Sequence, residues 1–390
     1  MGVSNTWDET MNDNSATEVE DLTKRFVTTQ EMIVEARRKL DDGPWAYLAG
    51  GTESETALAR NRLALDCLAL RPRVLRDVST VDTSTEFLGC KLRLPVFLAP
   101  IGGLTVFDAA GALAPVRAAG RFGIMAFQSS VTEPEVEDVA PHAEERLVFQ
   151  LYVRGDDAFV DEYVERALKA KCRGFCFTVD SAAYSRRERN LINRYIGGGP
   201  NNHRIGAAEG RAFQASLSWK QIERVRKKYP KVPILLKGIA TAEDAKIAVD
   251  HGVAVVYVSN HGGRQLDHSQ GTMEVLPEVV EAVKGRAEVV IDGGFVRATD
   301  VLKAIALGAR AVGLGKLYGW ALSAAGERGI TRMLEILETE MKIDMMLLGV
   351  TRLGELNRSF IAPARPVMIP SAVSQFPSIG HEIGSLPWHK

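Results

Sequence analysis

The run Ser259-Asn260-His261-Gly262-Gly263-Arg264 places an imidazole three residues before a guanidinium, with two glycines between them. Imidazole titrates nearest neutrality and is the commonest general base in proteins. Guanidinium is a planar, two-pronged cation that suits a carboxylate. Other polar groups end short apolar runs in the same manner: Gln128-Ser129-Ser130, Gln150-Leu151-Tyr152, Thr178-Val179-Asp180, Leu236-Lys237-Gly238, Asp292-Gly293-Gly294 and Gly313-Leu314-Gly315-Lys316. Each alone reads equally well as a satisfied hydrogen-bonding residue. Together they supply a base, carboxylates and cations that core packing does not require. Lys237 follows an apolar run, where an ammonium must pair with a carboxylate or face a ligand; a Schiff-base lysine is a further reading. The glycines after the last two runs suit a phosphate. Cys172 and Cys176 have no His or second Cys pair beside them, so no metal site is expected.

The elements that must position these groups repeat from about residue 95 onward. Apolar runs at 95–101, 123–129, 147–153, 174–180, 233–238, 254–260, 288–292 and 311–315 are nearly continuous in Val, Ile, Leu and Phe. That is the pattern of parallel strands buried on both faces. Amphipathic stretches such as 156–171, 241–251, 274–283 and 297–307 separate them. Eight strands alternating with helices read as an α/β protein, a (β/α)8 TIM barrel, with an open doubly wound sheet as the alternative. A barrel gathers its reacting groups at the strand C-termini, which is where the polar residues above fall. Before residue 95 the chain reads as helical, with helices at 29–40 and 57–65 around Gly50-Gly51. Between Tyr195 and Ser216 a long polar gap contains Gly197-Gly198-Gly199-Pro200-Asn201-Asn202. It reads either as a mobile lid or as a solvated loop without a role.

The chain has 390 residues, 46% hydrophobic and 25% charged, with a formal net charge of -1. This is a globular balance that one large barrel accommodates, and it lacks the basic excess of a nucleic-acid binder. No apolar run reaches the ~18 residues of a spanning helix, so no membrane partner is expected. Four scattered cysteines suggest a reducing compartment, and a cytoplasmic location is expected. The first 23 residues contain no Lys or Arg and match neither a signal nor a transit peptide. Met1-Gly2 with Thr6 formally fits a myristoylation pattern, without a supporting basic cluster. The chain's last residues, Pro387-Trp388-His389-Lys390, are not a peroxisomal address. The organisation expected is a disordered N-terminus over 1–28, a barrel domain over 29–362 and a Pro-rich extended tail over 363–390. That tail reads as a disordered end or as an arm on a neighbouring subunit.

Ser259-Asn260-His261-Gly262-Gly263-Arg264-Gln265-Leu266-Asp267 resembles the signature of the FMN-dependent 2-hydroxy acid oxidases and dehydrogenases, the family of glycolate oxidase, lactate oxidase and monooxygenase, and mandelate dehydrogenase. The resemblance runs from about residue 29 to 362 and includes Ala99-Pro100, Gln150-Leu151-Tyr152, Thr178-Val179-Asp180, Pro233-Ile234-Leu235-Leu236-Lys237-Gly238 and Asp292-Gly293-Gly294. It implies FMN as cofactor and oxidation of an L-2-hydroxy acid to a 2-oxo acid. By the same resemblance, His261 is the base, Asp180 its orienting carboxylate, and Arg264 with Tyr47 the carboxylate clamp. Tyr152 donates to the substrate oxygen and Arg187 is a second arginine near it. The implied flavin-binding residues are Ala99, Pro100, Ile101, Gly102, Ser129, Gln150, Thr178, Lys237, Ser259, Asp292, Gly293, Gly294, Arg297, Gly315 and Lys316. Oxygen or another electron carrier reoxidises the flavin, and assembly as a homo-tetramer is implied.

Departures from the family pattern carry expectations of their own. The family's arginine after the Asp-Gly-Gly block is replaced by Val296, with Arg297 next to it, and a second phosphate arginine is Lys316. Val131 stands where glycolate oxidase has a bulky tryptophan, and Tyr184 where a smaller apolar residue is usual. A side chain larger than that of glycolate is therefore expected on the substrate. Gly102 occupies a position where many oxidases carry alanine and leaves the acceptor open. A flavocytochrome is not expected, because no heme-domain extension precedes the barrel. Two rival readings are an FMN-dependent isomerase and a barrel with weakened flavin binding that serves as a binding or scaffold protein.

Overall fold

The computed structural model describes residues 20–195 and 209–376. Eight strands form one closed barrel: β1 Val96–Leu98, β2 Met125–Ser129, β3 Leu147–Leu151, β4 Gly174–Thr178, β5 Ile234–Ile239, β6 Val255–Val258, β7 Glu288–Asp292 and β8 Ala311–Leu314. Each strand pairs in parallel with its neighbours in sequence, and β8 closes on β1. The strands are apolar on both faces because outward side chains meet helices while inward ones fill the barrel. Phe97, Met125, Phe127, Val148, Cys176, Leu235, Val255, Tyr257 and Val290 form that inner core. A hairpin of Thr85–Phe87 and Cys90–Leu92 plugs the N-terminal end, with the Phe87 ring 5.9 Å from that of Phe97. Leu88 N donates to the carboxylate of Glu288, the first residue of β7, which fixes the plug at that end. The opposite end is left to chemistry.

Two helices that precede the barrel, Asp42–Ala49 and Thr56–Asp66, supply residues to that open end. Arg62 anchors the second one. Its guanidinium meets Asp300 of helix Ala298–Ala306 in two parallel bonds of 2.8 and 2.7 Å, and both side chains are almost fully buried. Removing one partner of such a pair costs about 3–5 kcal/mol.

Both chain ends correct the sequence expectation where they are described. Within the expected disordered stretch, Leu22–Arg25 is a short helix capped by the Asp21 side chain. Leu22 and Phe26, four residues apart, are buried, and the Phe26 carbonyl accepts from Arg332 at 3.0 Å. In the tail, Ile361–Pro363 pairs antiparallel with Leu68–Leu70. The chain then returns to its own barrel. Phe376 is fully buried beneath the Arg297 guanidinium, 4.6 Å from its ring centroid, and Gln375 bonds Asp66 at 2.9 Å. An apolar ring and a side-chain amide thus dock residues 371–376 on the same chain. The expectations for residues 1–19, for the Gly-rich stretch at 196–208 and for 377–390 lie outside the described residues.

Candidate active site

The C-terminal end of β6 runs into a turn in which His261, Gly262 and Gly263 all have positive φ, at 61°, 66° and 74°. A histidine in the left-handed region is uncommon and strained, and such strain gathers at functional sites. Gly263 is obligatory, since a Cβ there would lie 2.4 Å from the Leu58 backbone. The turn aims the His261 ring across the barrel mouth to Asp180, just beyond β4. His261 Nδ1 is 3.0 and 3.3 Å from the two Asp180 oxygens. Gly238 in β5 makes room for this carboxylate, because a Cβ at that position would meet Asp180 Cβ at 2.7 Å. With Nδ1–H donating to Asp180, Nε2 carries the lone pair, and Tyr152 Oη lies 3.2 Å from it. Burial lowers the His261 pKa below its usual 6.5, partly offset by Asp180, with Lys237 lowering it further. Asp180 is held below the ordinary carboxylate range by His261 and Lys237 despite its burial. The pair is therefore a neutral imidazole beside an ionised carboxylate at neutral pH.

Lys237 lies in β5 opposite Thr178 of β4. Its ammonium donates to Ser259 Oγ at 3.0 Å and stands 3.6 Å from Asp292, which also accepts from Ser259 and from Tyr257 at 2.6 and 2.8 Å. Asp292, Asp180 and Tyr152 raise its pKa against the opposing effect of burial. The amine is thus kept protonated, which removes the Schiff-base reading. On the neighbouring strands β3 and β4 lie polar atoms with no partner among the described residues: both side-chain ends of Gln150 and the Thr178 hydroxyl, on residues 0% and 1% exposed. Buried polar groups left unpaired call for a ligand, and a ring edged with carbonyls and N–H groups suits an amide and a hydroxyl. The isoalloxazine of FMN fits that donor set. Ala99, Pro100, Ile101 and Gly102, after β1, line the same cavity of about 470 Å³; the Ser129 hydroxyl is turned to the Val131 amide.

On the other side of the mouth, Arg264 Nη1 is held by the Tyr47 and Gly50 carbonyls, with its guanidinium 4.9 Å over the Tyr47 ring. Tyr47 Oη donates to Gly102 O at 3.3 Å. Arg187 stands over Tyr184 at 4.6 Å, donates to the Tyr184 hydroxyl, and keeps a buried Nε without a partner among the described residues. Burial and the neighbouring Arg187 bring Arg264 down to about 10. Val131 and Tyr184 line the cavity as well.

The phosphate end differs from the expectation. Arg297 does not line the cavity; its guanidinium bonds Glu340 at 2.6 Å and the Gln375 carbonyl at 3.2 Å. The Val296 and Arg297 amides are taken by Asp300, which caps the following helix. Lys316 does line the cavity, but its ammonium reaches the Gly50 carbonyl at 3.1 Å, beside Arg264. Burial and Arg264 depress its pKa well below that of a free lysine. Gly293, Gly294 and Gly315 remain at this end, joined by Ser371 and Ala372 of the returning tail.

Sequence reasoning missed several lining residues. Gln214, on helix Glu209–Ser216, bridges Val153 N at 2.7 Å and Thr178 O at 2.8 Å. Arg211 on the same helix and Arg154, two residues beyond Tyr152, also line the cavity. Arg154 stood at a strand end in the sequence and was open to the same rule that singled out Tyr152.

The comparisons with known proteins agree with this geometry. A family model described as FMN-dependent dehydrogenase matches residues 36–363. The chain is 37% identical over 344 residues to glycolate oxidase of Spinacia oleracea, covering 84% of this chain and 93% of that one. It is 38% identical over 355 residues to a peroxisomal (S)-2-hydroxy-acid oxidase of Oryza sativa subsp. japonica, covering 86% and 95%. The crystal structure of mandelate oxidase superposes with a TM-score of 0.81 at 36% identity, covering 88% of this chain and 99% of that one. The chain belongs to the FMN-dependent dehydrogenase family. It is an FMN-dependent oxidoreductase that acts on 2-hydroxy acids.

Proposed function

We propose that the protein oxidises an (S)-2-hydroxy acid with a side chain larger than that of glycolate to the 2-oxo acid. The observation that carries this reading is the His261–Asp180 pair, 3.0 Å apart, with the Tyr152 hydroxyl 3.2 Å from His261 Nε2 and Arg264 lining the same cavity. Arg264 and the Tyr47 hydroxyl bind the substrate carboxylate, with Arg187 beside them. Tyr152 donates to the substrate hydroxyl oxygen. His261 Nε2 takes a proton from the substrate, and Asp180 stabilises the imidazolium that results. FMN, when bound, supplies the two-electron acceptor. Gln150, Thr178, Ser129 and the 99–102 backbone would hold its ring, with the Lys237 charge beside it. Gly293, Gly294 and Gly315 would meet its phosphate, with Ser371 closing that end in place of the two arginines of the family.

Val131 supports the larger side chain, since it lines the cavity and is smaller than the tryptophan that glycolate oxidase has at that position. The reading is tested by loading the protein with FMN and measuring 2-oxo acid formed from glycolate and from larger (S)-2-hydroxy acids. Turnover confined to glycolate would overturn it. Oxygen or another electron carrier as acceptor, a homo-tetrameric assembly and a cytoplasmic location are parts of the same proposal. The four free cysteines suit a reducing compartment. Oxygen uptake under turnover, light scattering of the purified protein and fractionation of the source cells test them in turn.

A further inference from the structure

Lys316 is the first residue of helix Lys316–Leu348, directly after Gly315. Its ammonium donates to the Gly50 carbonyl at 3.1 Å, and Arg264 Nη1 donates to the same oxygen at 3.0 Å. One acceptor thus gathers both cations, and the two nitrogens can be no further apart than those two bonds laid end to end. Both side chains line the cavity, as do Tyr47 and Arg187. Gly50 is the C-cap of helix Asp42–Ala49 and lies three residues after Tyr47, whose own carbonyl also accepts from Arg264. Lys316, Arg264 and Tyr47 are therefore tied to one helix end. A helix C-terminus carries about half a negative charge, too little to balance two full positive ones. Among the described residues, Lys316 and Arg264 bond to these carbonyls rather than to a carboxylate. Glu55 acts on Lys316 but is itself held by Arg189 and by the Gly51 amide at 2.9 Å. Burial and Arg264 lower the Lys316 pKa, Glu55 opposes them, and Arg187 and Arg189 lower it further. Like charges gathered at a cavity wall are relieved by an anion placed against both.

Resting on the reading above, we infer that Lys316 is a third member of the clamp on the substrate carboxylate, with Arg264 and Tyr47, and not a ligand of the FMN phosphate. The Gly50 carbonyl holds its ammonium beside the guanidinium, so one carboxylate meets both cations. A compact ammonium fits next to a guanidinium where a second planar fork would compete for the same carboxylate edge.

The test measures the two anions separately. FMN-loaded Lys316→Met and Lys316→Gln are titrated with two unreactive 2-oxo acids, 4-methyl-2-oxopentanoate and phenylglyoxylate, and with the primary amides of the same compounds. Binding is read from perturbation of the flavin spectrum. The acids are expected to bind the variants about tenfold or more weakly than the wild type, while the amides bind all three proteins equally. FMN retention, read as the fluorescence regained when the loaded protein is diluted, is expected to be unchanged. In turnover the loss falls on KM, with kcat nearly unchanged, since the clamp grips substrate and transition state alike. Unchanged acid affinity, equal losses on acids and amides, or weakened FMN retention would overturn the inference and leave the proposed function standing. A wild-type flavin neither perturbed by the 2-oxo acids nor bleached by any (S)-2-hydroxy acid sinks both.

Discussion

Replacing Asp180 with Asn removes one negative charge from beneath His261 while keeping the shape of the side chain. In the structure both carboxylate oxygens lie within 3.3 Å of Nδ1. A charge-assisted hydrogen bond of this kind contributes about 1.5–3 kcal/mol. The attraction between the carboxylate and the imidazolium that forms during reaction amounts to about 4 kcal/mol at 4 Å and an effective dielectric of 20. The two figures describe overlapping parts of one interaction, so a loss of about 3–4 kcal/mol in the transition state is expected. That corresponds to a fall in kcat of about two to three powers of ten. KM is expected to change little, because Asp180 is not part of the Arg264–Tyr47 clamp. The pH profile gives an independent sign. Asp180 raises the His261 pKa, so its loss lets that pKa fall further below 6.5. The acid limb of kcat/KM, where the base becomes protonated, therefore moves to lower pH. Steady-state kinetics across pH on fully flavin-loaded protein, with loading checked by absorbance, decide the matter. A loss of less than about tenfold, or an acid limb that moves to higher pH, would refute this account of the pair.

Other perturbations test separate parts of the site. Val131→Trp enlarges a side chain that lines the cavity and should cut kcat/KM for branched or aromatic 2-hydroxy acids by about tenfold or more while sparing glycolate; equal losses on both would contradict it. Lys237→Met withdraws a buried cation from the flavin site. It should lower the flavin midpoint potential by at least about 30 mV, the two-electron equivalent of about 1.4 kcal/mol, read by dye equilibration. An unchanged potential would place the charge too far away to matter. Arg297→Ala cuts the ties to Glu340, Gln375 and Phe376. Residues 371–376 should become protease-sensitive, and FMN should bind about tenfold more weakly by fluorescence titration, or about 1.4 kcal/mol. Protease sensitivity without loss of affinity would show that the returning tail does not close the phosphate end.

The barrel was legible because its signal is local. Each parallel strand is a short apolar run with a polar end, and the eight runs coincide with the eight strands to within a few residues. His261 and Asp180 were legible by the rule that puts strand ends at one mouth, although 81 residues separate them. What escaped depends on partners distant in sequence. Arg297 reads as a phosphate ligand beside a glycine pair, and only the fold reveals that Glu340 and the returning tail claim it. The proline spacing after residue 363 is silent on where Phe376 buries its ring. Leu22 and Phe26 are too short an apolar signal to distinguish a docked helix from a frayed end. Gln214 bears no motif, and its role exists only because its helix lands across β3 and β4.

The central claim is that this site takes a proton and a hydride, or its two-electron equivalent, from a 2-hydroxy acid held by its carboxylate. The most direct measurement is an anaerobic titration of the FMN-loaded protein with (S)- and (R)-2-hydroxy acids, followed at the visible flavin band. The account predicts bleaching by an (S)-acid with a side chain larger than that of glycolate and none by its (R) enantiomer. Protein that stays yellow with every acid, or that fails to retain FMN at all, would contradict it.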